Sequence, residues 1–271
     1  MKLLFKITSG TGNQLFQLAQ ALAVAKKNDR IILDLSNYNQ DIKRKPMLHL
    51  ILPFIDIEYV LEIRSRPRIN IKERKEYKFS RMIRLPSFFA KYSGYFQNDL
   101  NTSKVAGEIS KAIHNYVNHD EIKTCDCGLR HINMHFRRGD LVFETYLKDS
   151  IGALSDDYFF KIVKENELLK NGHLTVFSDS PKLAQLWISK LPKGKVTLFE
   201  DDSLDDFHLM VQLTNCDVLI LSNSTFSYWA AKVSRDANLS VHAPSQWHRT
   251  LKASRQLNSA GWLIHESAWY D

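Results

Sequence analysis

The second half of the sequence alternates short apolar segments with helical ones, and this alternation constrains the fold more than any other feature. Strands are predicted at residues 131–135, 174–177, 196–199 and 218–221, and helices at residues 156–169, 181–190, 203–215 and 226–233. Ser155 is the predicted N-cap of the first helix, and Ser203 is predicted to open the third. Strands and helices in strict alternation favour a parallel sheet with helical connections, so we predict an α/β fold.

The first half begins in the same way. A strand at residues 2–7 leads into a turn that contains Gly10 and Gly12, then a helix with apolar residues at helical spacing, then a strand at residues 31–35. Residues 38–91 are less regular, and helical periodicity returns at residues 105–117. We therefore predict two Rossmann-like domains, residues 1–120 and 121–271, joined near residues 118–127, with a ligand cleft between them.

The net charge favours acidic partners but does not identify which one. The 271 residues carry a net charge of +7, which suits nucleotide phosphates, anionic lipid surfaces or nucleic acid. Ten basic and two acidic residues lie in a basic segment that begins at Arg64 and ends at Lys91, interleaved with aromatic residues. Three interpretations stay open for this segment: a solvated face, a patch that contacts a membrane or a lipid-linked substrate, and a nucleic-acid groove.

Cysteine content and hydropathy predict a location in the cytoplasm. Three cysteines, Cys125, Cys127 and Cys216, are an odd and sparse set, which favours a reducing compartment. The apolar start of the chain is broken by Lys6 and Ser9, unlike a signal peptide, and no apolar run is long enough to cross a membrane. We expect a soluble protein.

The strand at residues 131–135 runs directly into Arg137, Arg138, Gly139 and Asp140, so positive charge is concentrated where the strand ends. A guanidinium group offers a planar fork of donors that matches phosphate oxygens, and open α/β sheets bind ligands at the carboxyl ends of their strands. Taken alone, such a tetrapeptide is equally typical of a solvated turn with a local ion pair.

Two further loops at predicted strand ends carry polar residues. Ser178 and Asp179 follow one strand, and residues 222–225 (Ser-Asn-Ser-Thr) end another and begin a helix. Hydroxyl groups and backbone N–H groups at a helix start can hold a phosphate, which suits Ser224 and Thr225. Serine and asparagine are also ordinary N-caps, and Asp179 is suited either to a ribose hydroxyl or to capping the helix behind Pro181.

Five segments together resemble the α-1,2-fucosyltransferases of glycosyltransferase family 11, in family order and over most of the chain. They are Ser9-Gly10-Thr11-Gly12-Asn13-Gln14-Leu15-Phe16-Gln17, Gly94-Tyr95-Phe96-Gln97, His135-Phe136-Arg137-Arg138-Gly139-Asp140, Phe177-Ser178-Asp179, and the run from Ser222 through Asn223, Ser224, Thr225 and Phe226 to Ala231. The sequence departs from the family at Ser9, Tyr228 and Ala230, where the family usually has glycine, tryptophan and glycine. The middle basic region lies outside the resemblance.

The resemblance implies an inverting, metal-independent enzyme of GT-B-like fold, with no cofactor, that moves L-fucose from GDP-fucose to the 2-hydroxyl of a galactose. The acceptor would be a glycan, for example an O-antigen repeat unit carried on lipid, and nucleic acid would not be a partner. The N-terminal domain, residues 1–120, would be the acceptor side, and the C-terminal domain, residues 121–271, would bind GDP-fucose. The residues expected to bind GDP-fucose lie in the N-terminal turn and in three loops of the second domain: Gly10, Gly12, Asn13, Gln14, His135, Arg137, Arg138, Ser178, Asp179, Asn223, Ser224 and Thr225.

The chemistry of glycosyl transfer assigns roles within this set. Negative charge grows on the departing diphosphate, which calls for Arg137 and Arg138 beside it, and His135 would help to place the donor. The sequence contains no Asp-x-Asp for a divalent metal. Asp140 is the first candidate for the general base and Glu144 the second, while an alternative role for Asp140 is to orient an arginine.

Two other classes of function stay open from the sequence. The first is a GDP-sugar transferase with another donor or linkage, because arginines at a strand end recognise the diphosphate and not the sugar. The second is a non-catalytic module that binds polyanions through the basic segment, which would show steeply salt-dependent binding without nucleotide binding.

Overall fold

The computed structural model describes residues 1–39, 45–55, 59–62, 69–73, 84–118, 122, 128–250 and 257–270. The chain divides into two compact units, unit 1 from Met1 to Tyr116 and unit 2 from Val117 to Asp271. Each unit contains one parallel β-sheet with helical connections. The predicted α/β class is therefore confirmed.

Unit 1 begins with β1 (Lys2–Lys6), α1 (Thr11–Val24) and β2 (Arg30–Asp34), as predicted. The side chains of Leu3, Leu4 and Phe5 are fully buried, because the strand lies inside the sheet. The turn before α1 uses Ser9 with φ +73°, in the left-handed region that favours glycine, and this explains the family preference for glycine at that position.

No strand was predicted in the less regular segment at residues 38–91, but the structure has strands there. Three strands complete the first sheet: β3 (Tyr59–Glu62), β4 (Ile69–Lys72) and β5 (Ala90–Ser93). The strand order is β3-β2-β1-β5-β4, with every pairing parallel. These strands have only four residues each, so their signal in the sequence is weak. Helix α2 (Asp99–Tyr116) closes the unit.

Unit 2 contains a six-stranded parallel sheet in the order β11-β10-β9-β6-β7-β8. The strands are β6 (Arg130–His135), β7 (Gly172–Phe177), β8 (Val196–Leu198), β9 (Val218–Ile220), β10 (Ser240–Pro244) and β11 (Leu263–His265). The helices are α3 (Gly139–Phe143), α4 (Thr145–Ser150), α5 (Asp156–Glu165), α6 (Pro181–Ile188), α7 (Asp206–Thr214) and α8 (Thr225–Val233).

Burial on both faces of β6 fixes its place at the centre of this sheet. Ile132, Met134 and Phe136 join the apolar core on one face, while Asn133 and His135 are also buried on the other. The buried Asn133 amide is hydrogen-bonded, because its nitrogen donates to the carbonyls of Gln212 and Leu213 at 3.2 and 3.0 Å. Parallel sheets have helices on both faces, which explains why Asn133 and His135 are buried together with the apolar residues of β6.

Helix starts in unit 2 agree with the sequence in one case and differ in another. The Ser155 hydroxyl accepts from the backbone N–H of Tyr158 and caps α5, as predicted. Helix α7 begins at Asp206 and not at Ser203, because the Asp205 carboxylate accepts from the N–H groups of Phe207 and His208. Serine and aspartate are both good N-caps, so the sequence alone does not show whether Ser203 or Asp205 caps α7.

Several predictions fall outside the described residues. They include Cys125, Cys127, most of the predicted linker, and residues 64–68 and 74–83 of the basic segment. Cys216 is a free thiol that donates to the Leu213 carbonyl, and burial raises its pKa to about 12. Across the part of the chain that the structure describes, none of the helices combines the length and apolar character of a membrane span.

Candidate functional site

The loops that follow β6, β7 and β9 meet at the carboxyl edge of the unit 2 sheet. Strand β6 lies between β9 and β7, so the loop at residues 136–138 lies between residues 178–180 and residues 221–224. Three of the loops that the sequence singled out are therefore neighbours in space. This is the edge at which open parallel sheets bind ligands.

Arg137 lies at this edge with its guanidinium between two carboxylates. Nη2 pairs with Oδ1 of Asp140, and Nη1 lies 2.7 Å from Oδ2 of Asp179. The Arg137 side chain keeps 28% of its surface exposed. Because a guanidinium has five N–H donors, these two ion pairs leave donors for an anionic ligand.

Arg138 points away from this edge, contrary to the prediction that it contacts the diphosphate. Its side chain is only 1% exposed; Nη1 donates to the Leu154 carbonyl at 2.5 Å and Nη2 to Asp156 at 2.8 Å. Its guanidinium carbon lies 4.0 Å from the ring centroid of Phe136 and 5.1 Å from that of Tyr270. Arg138 is thus a buried cation paired within unit 2, and its role is structural.

Hydrogen bonds tie the loop after β6 to the loop after β7. The Asp179 carboxylate accepts from the N–H of Arg138 at 2.9 Å, and the Ser178 hydroxyl donates to the Phe136 carbonyl at 2.7 Å. Ser180, which the sequence analysis missed, accepts from the N–H of Gly139 at 2.9 Å. Asp179 therefore does not cap α6, which was one of its two predicted roles. It positions Arg137 instead.

Gly139 is required where these loops meet. Its φ is +30°, and an added Cβ would lie 2.1 Å from Oδ2 of Asp179, the oxygen that faces Arg137. A side chain at this position would therefore push the Asp179 carboxylate out of place. The glycine of the Arg-Arg-Gly-Asp sequence thus permits the contact between Arg137 and Asp179.

His135 ends β6 as a buried and neutral imidazole. Its Nδ1 lies 2.8 Å from the Ser222 hydroxyl, and its ring centroid lies 5.6 Å from that of Phe226. Burial, followed by the charge of Arg137, lowers the pKa of His135 to about 3. At neutral pH this side chain carries no charge, so it suits hydrogen bonding and placement rather than proton donation as an imidazolium.

The Ser222–Thr225 segment joins β9 to α8 and exposes hydroxyl groups at a helix start. The Ser224 hydroxyl accepts from the N–H of Phe226 and is the N-cap of α8, so its predicted capping role is confirmed. Thr225 is the half-buried first residue of the helix. The first N–H groups of a helix and its dipole favour an anion at this point.

Asn223 is buried between two loops. Its amide nitrogen donates to the carbonyls of Gly152 and Trp247 at 2.8 and 3.3 Å, while its Oδ1 has no hydrogen-bond partner among the described residues. A buried amide oxygen without a donor is unusual in a native protein and marks a position that a ligand or water can satisfy. The resemblance places Asn223 among the donor-binding residues, but an amide oxygen without a donor has no pattern in the sequence.

The two candidate bases differ in their surroundings. Asp140 begins α3 and its carboxylate pairs with Arg137, which favours the role of orienting that arginine. Glu144 is exposed at the start of α4, and its side chain makes no capping hydrogen bond.

Residues predicted for the donor from unit 1 lie at the carboxyl edge of the first sheet. The Asn13 amide donates to the Ser9 hydroxyl at 3.0 Å and accepts from Gln97 at 2.8 Å. Gly10 is the N-cap of α1, where an added Cβ would meet nothing within 4 Å, and Gly12 is buried in the first turn of the helix. Packing in this chain therefore does not require glycine at position 10, because the space that a Cβ would occupy there is open.

Gln14 was predicted to bind the donor, but its side chain is fully buried and used within unit 1. Its amide nitrogen donates to the carbonyls of Ser9 and Lys45 at 3.1 and 2.8 Å, and its oxygen accepts from the N–H of Met47 at 2.8 Å. Gln14 therefore holds the turn before α1 and a neighbouring loop. Its role is structural.

The Gly-Tyr-Phe-Gln segment is held by a residue that the sequence analysis missed. The Glu73 carboxylate accepts from the N–H groups of Tyr95 and Phe96 at 2.7 and 3.0 Å. An added Cβ at Gly94 would lie 2.3 Å from the Cβ of Glu73, so glycine allows β4 and β5 to approach. In the sequence Glu73 lies among basic residues, and no pattern there indicates this role.

Comparison with known proteins decides the family. A model of glycosyl transferase family 11 matches residues 5–264, nearly the whole chain. The chain belongs to glycosyl transferase family 11. Family 11 membership makes it a glycosyltransferase, which acts with a nucleotide-sugar donor and a glycan acceptor.

Two curated relatives of this family 11 chain come from Escherichia coli. An alpha-1,2-colitosyltransferase is 23% identical over 271 residues, covering 89% of this chain and 91% of the relative. The O-antigen biosynthesis glycosyltransferase WbnK is 26% identical over 116 residues, covering 42% of this chain and 38% of WbnK. The second match thus spans well under half of that relative.

Solved structures agree with the predicted GT-B-like class. The Escherichia coli heptosyltransferase WaaC with ADP superposes with a TM-score of 0.51 at 8% identity, covering 98% of this chain and 93% of the other. POFUT1 in complex with GDP-fucose superposes with a TM-score of 0.50 at 10% identity, covering 89% and 97%. At these identities the likeness shows the fold alone, and it is that of GT-B glycosyltransferases.

Proposed function

We propose that this family 11 member is an inverting galactoside α-1,2-fucosyltransferase that moves L-fucose from GDP-fucose to the 2-hydroxyl of a galactose in a glycan. The observation that carries the proposal is that the partly exposed guanidinium of Arg137 and the start of α8 follow the neighbouring strands β6 and β9 at the same carboxyl edge of the unit 2 sheet. A leaving diphosphate needs such a cation and such a helix start. The α-1,2 linkage in the name of the colitosyltransferase relative supports the linkage.

In the proposed reaction the acceptor 2-hydroxyl oxygen attacks the anomeric carbon of fucose from the face opposite the diphosphate. A new C–O bond forms while the bond from that carbon to the β-phosphate oxygen breaks, and its electron pair leaves with GDP. The hydroxyl proton passes to a carboxylate base. Charge grows on the diphosphate in the transition state, so donors at Arg137, Ser224 and Thr225 act most strongly there.

Asp140 would keep Arg137 aimed at the diphosphate, and Glu144 would be the base if Asp140 is not. The variant Asp140→Asn separates these roles, because it keeps a hydrogen-bond acceptor beside Arg137 but cannot take up a proton. If Asp140 only orients Arg137, the acidic limb of the pH–rate profile keeps its position; disappearance of that limb identifies Asp140 as the base.

We propose that Arg137 and the helix start take the place that a divalent metal occupies in other sugar transferases. The absence of an Asp-x-Asp sequence supports this. The rate of transfer should then be the same in a chelator such as EDTA as in Mg²⁺ or Mn²⁺. A rate that falls with chelator and returns with metal would contradict it.

The biological acceptor would be a surface polysaccharide repeat unit, as the name of the O-antigen relative suggests. We place such a reaction in the cytoplasm, where the acceptor would be carried on lipid at the inner membrane face. The basic segment at residues 64–91 would then contact the membrane. Neutralising Arg74, Lys75 and Lys78 should abolish binding to anionic liposomes, and unchanged binding would discard this part of the proposal.

A second donor has a specific observation in its favour. The relative that covers nine-tenths of this chain is by name a colitosyltransferase, so colitose is the alternative sugar to fucose. Arg137 recognises a diphosphate in either case, and the identity of the sugar rests on residues around it. A direct comparison of GDP-fucose with GDP-colitose measures this choice.

The test is transfer to a panel of β-galactosides with chelator present, using GDP-fucose, GDP-colitose, GDP-mannose and UDP-sugars as donors. The proposal predicts α-1,2-linked fucose as the product and GDP-fucose as the donor with the highest kcat/KM. Transfer from a UDP-sugar alone, or a different linkage, would contradict it. The variant Arg137→Ala tests the role of the arginine in the same assay. Its matched control is Arg235→Ala, which removes an exposed arginine after α8.

A further inference from the structure

Two exposed aromatic side chains lie beside Asp140. Phe143 is 71% exposed and Tyr146 is 80% exposed, on the consecutive short helices α3 and α4. No other aromatic side chain is among the large exposed apolar residues in the described part of unit 2. The mechanism above assigns a role to neither of them.

Their position relative to Arg137 follows from helix geometry. Asp140 and Phe143 are three residues apart in α3, so they lie on the same side of that helix, with Cβ atoms about 5–6 Å apart. Asp140 pairs with Arg137. The ring of Phe143 is therefore on the side of α3 that bears the contact to the proposed diphosphate site.

The residues between the two rings are polar and exposed. Glu144 supplies a carboxylate and Thr145 a hydroxyl, and both are exposed with Phe143 and Tyr146 in one continuous run. A pyranose ring offers an apolar C–H face and a rim of hydroxyl groups. Aromatic rings flanking a few hydrogen-bonding groups suit such a ligand, since ligand sites combine apolar contact area with a small number of polar contacts.

We propose that Phe143 and Tyr146 form a platform on which the acceptor glycan stacks, with Glu144 and Thr145 binding its hydroxyl groups. This deepens the proposed function, on which it rests, by assigning part of the acceptor site to α3 and α4 of unit 2. The glycan is chosen over an apolar partner because the exposed carboxylate of Glu144, between Phe143 and Tyr146 in the sequence, disfavours a purely apolar contact. A glycan stacked on this platform would also lie near Arg137, the arginine that we propose binds the diphosphate.

The experiment is a titration of the full chain, saturated with GDP, with a β-galactoside disaccharide, followed by NMR saturation transfer. The double variant F143A/Y146A should weaken glycan binding about tenfold or more, while its affinity for GDP stays within about twofold of wild type. The ring-preserving variant F143Y/Y146F should bind the glycan like wild type. In transfer assays the acceptor KM should rise, with donor hydrolysis unchanged.

Leu100→Ala is the control, because Leu100 is also an exposed large apolar residue, at 57%, but belongs to unit 1 and lies outside the basic segment. It should leave glycan binding unchanged. Unchanged glycan affinity in the folded double variant, or no glycan binding by wild type, would overturn the platform. So would a loss of self-association or of liposome binding as the variant's sole effect. The titration uses no sugar donor, so failure to transfer fucose refutes the proposed function without deciding the platform.

Discussion

Arg137 and Arg138 are adjacent in the sequence, but their side chains have different surroundings. Arg137 lies between Asp140 and Asp179 with part of its surface exposed, whereas Arg138 is enclosed by Phe136, Tyr270 and Asp156. Consecutive residues of an extended segment point to opposite sides, so one of the two side chains had to enter the core. The sequence predicted both arginines beside the diphosphate, and only the fold shows that Arg138 is buried and paired within unit 2.

Replacing Arg137 with alanine should lower kcat by about two to three orders of magnitude, the scale expected for losing one donor that acts in the transition state. Stability should change by less than about 1 kcal/mol, because the lost ion pairs are partly exposed. Steady-state kinetics of transfer measure the effect. A variant in which KM alone rises would show that Arg137 contributes uniform binding and not stabilisation of the leaving group.

Replacing Arg138 with alanine should have the opposite pattern, with a large loss of stability and no direct effect on the leaving group. Removal of a buried cation leaves Asp156 with only its contact to Lys190 and opens a cavity beside Phe136, so unit 2 should lose about 3 kcal/mol of stability. Thermal unfolding measures the loss, with Arg137→Ala as its neighbour control. Equal melting temperatures for the two variants would show that the buried contacts of Arg138 contribute little.

At the scale of elements, the sequence predicted the helices and strands whose signals are local. Ser155 caps α5 as expected, and the apolar residues of β6, β7 and β9 identified central strands. Strands β10 and β11 were missed because they contain histidine, serine or proline in place of a continuous apolar run. Their strand conformation depends on pairing with β9 and with each other, far apart in sequence.

The junction of the loops after β6 and β7 gives a prediction at this scale. Gly139→Ala should push the Asp179 carboxylate away from Arg137 and lower kcat by about a hundredfold, since a misplacement of about 1 Å costs that much. Gly107→Ala, in α2, is the control, because an added Cβ there would meet nothing within 4 Å. Wild-type kcat in Gly139→Ala would contradict the proposed positioning of Arg137 by Asp179.

At the scale of the whole molecule, buried histidines make stability depend on pH. Burial is the main cause that lowers the pKa of His135 to about 3 and that of His242 to about 4, while an unfolded histidine titrates near about 6.5. Between these values the unfolded chain binds more protons than the folded chain. The free energy of unfolding should therefore fall as the pH falls below about 6.5, by on the order of 1 kcal/mol per pH unit for each histidine.

Chemical unfolding at a series of pH values between 7 and about 4.5 tests this dependence. The variant His135→Asn keeps a polar partner for Ser222 but cannot take up a proton, so its stability should fall less steeply. His49→Asn, at an exposed histidine, should follow wild type. Parallel curves for wild type and His135→Asn would show that His135 is not held neutral in the folded protein.

Long-range contacts account for most of what the sequence could not predict about the site. The family segments identified the loops, but side chains such as Gln14 and Arg138 proved to be buried and bonded within their own units. Ser180 and Glu73 act through single hydrogen-bonded groups that carry no pattern in the sequence. Asp179 gained its role from a backbone approach at Gly139 that only the fold creates.

The central claim is that Arg137 and the start of α8 bind the diphosphate of a nucleotide. Calorimetric titration of the chain with GDP in the presence of chelator tests it most directly, because GDP carries the charge that the leaving group acquires. We predict heat of binding at one site in wild type and affinity at least about tenfold weaker in Arg137→Ala. No heat with wild type, or equal affinity in both proteins, would contradict the account.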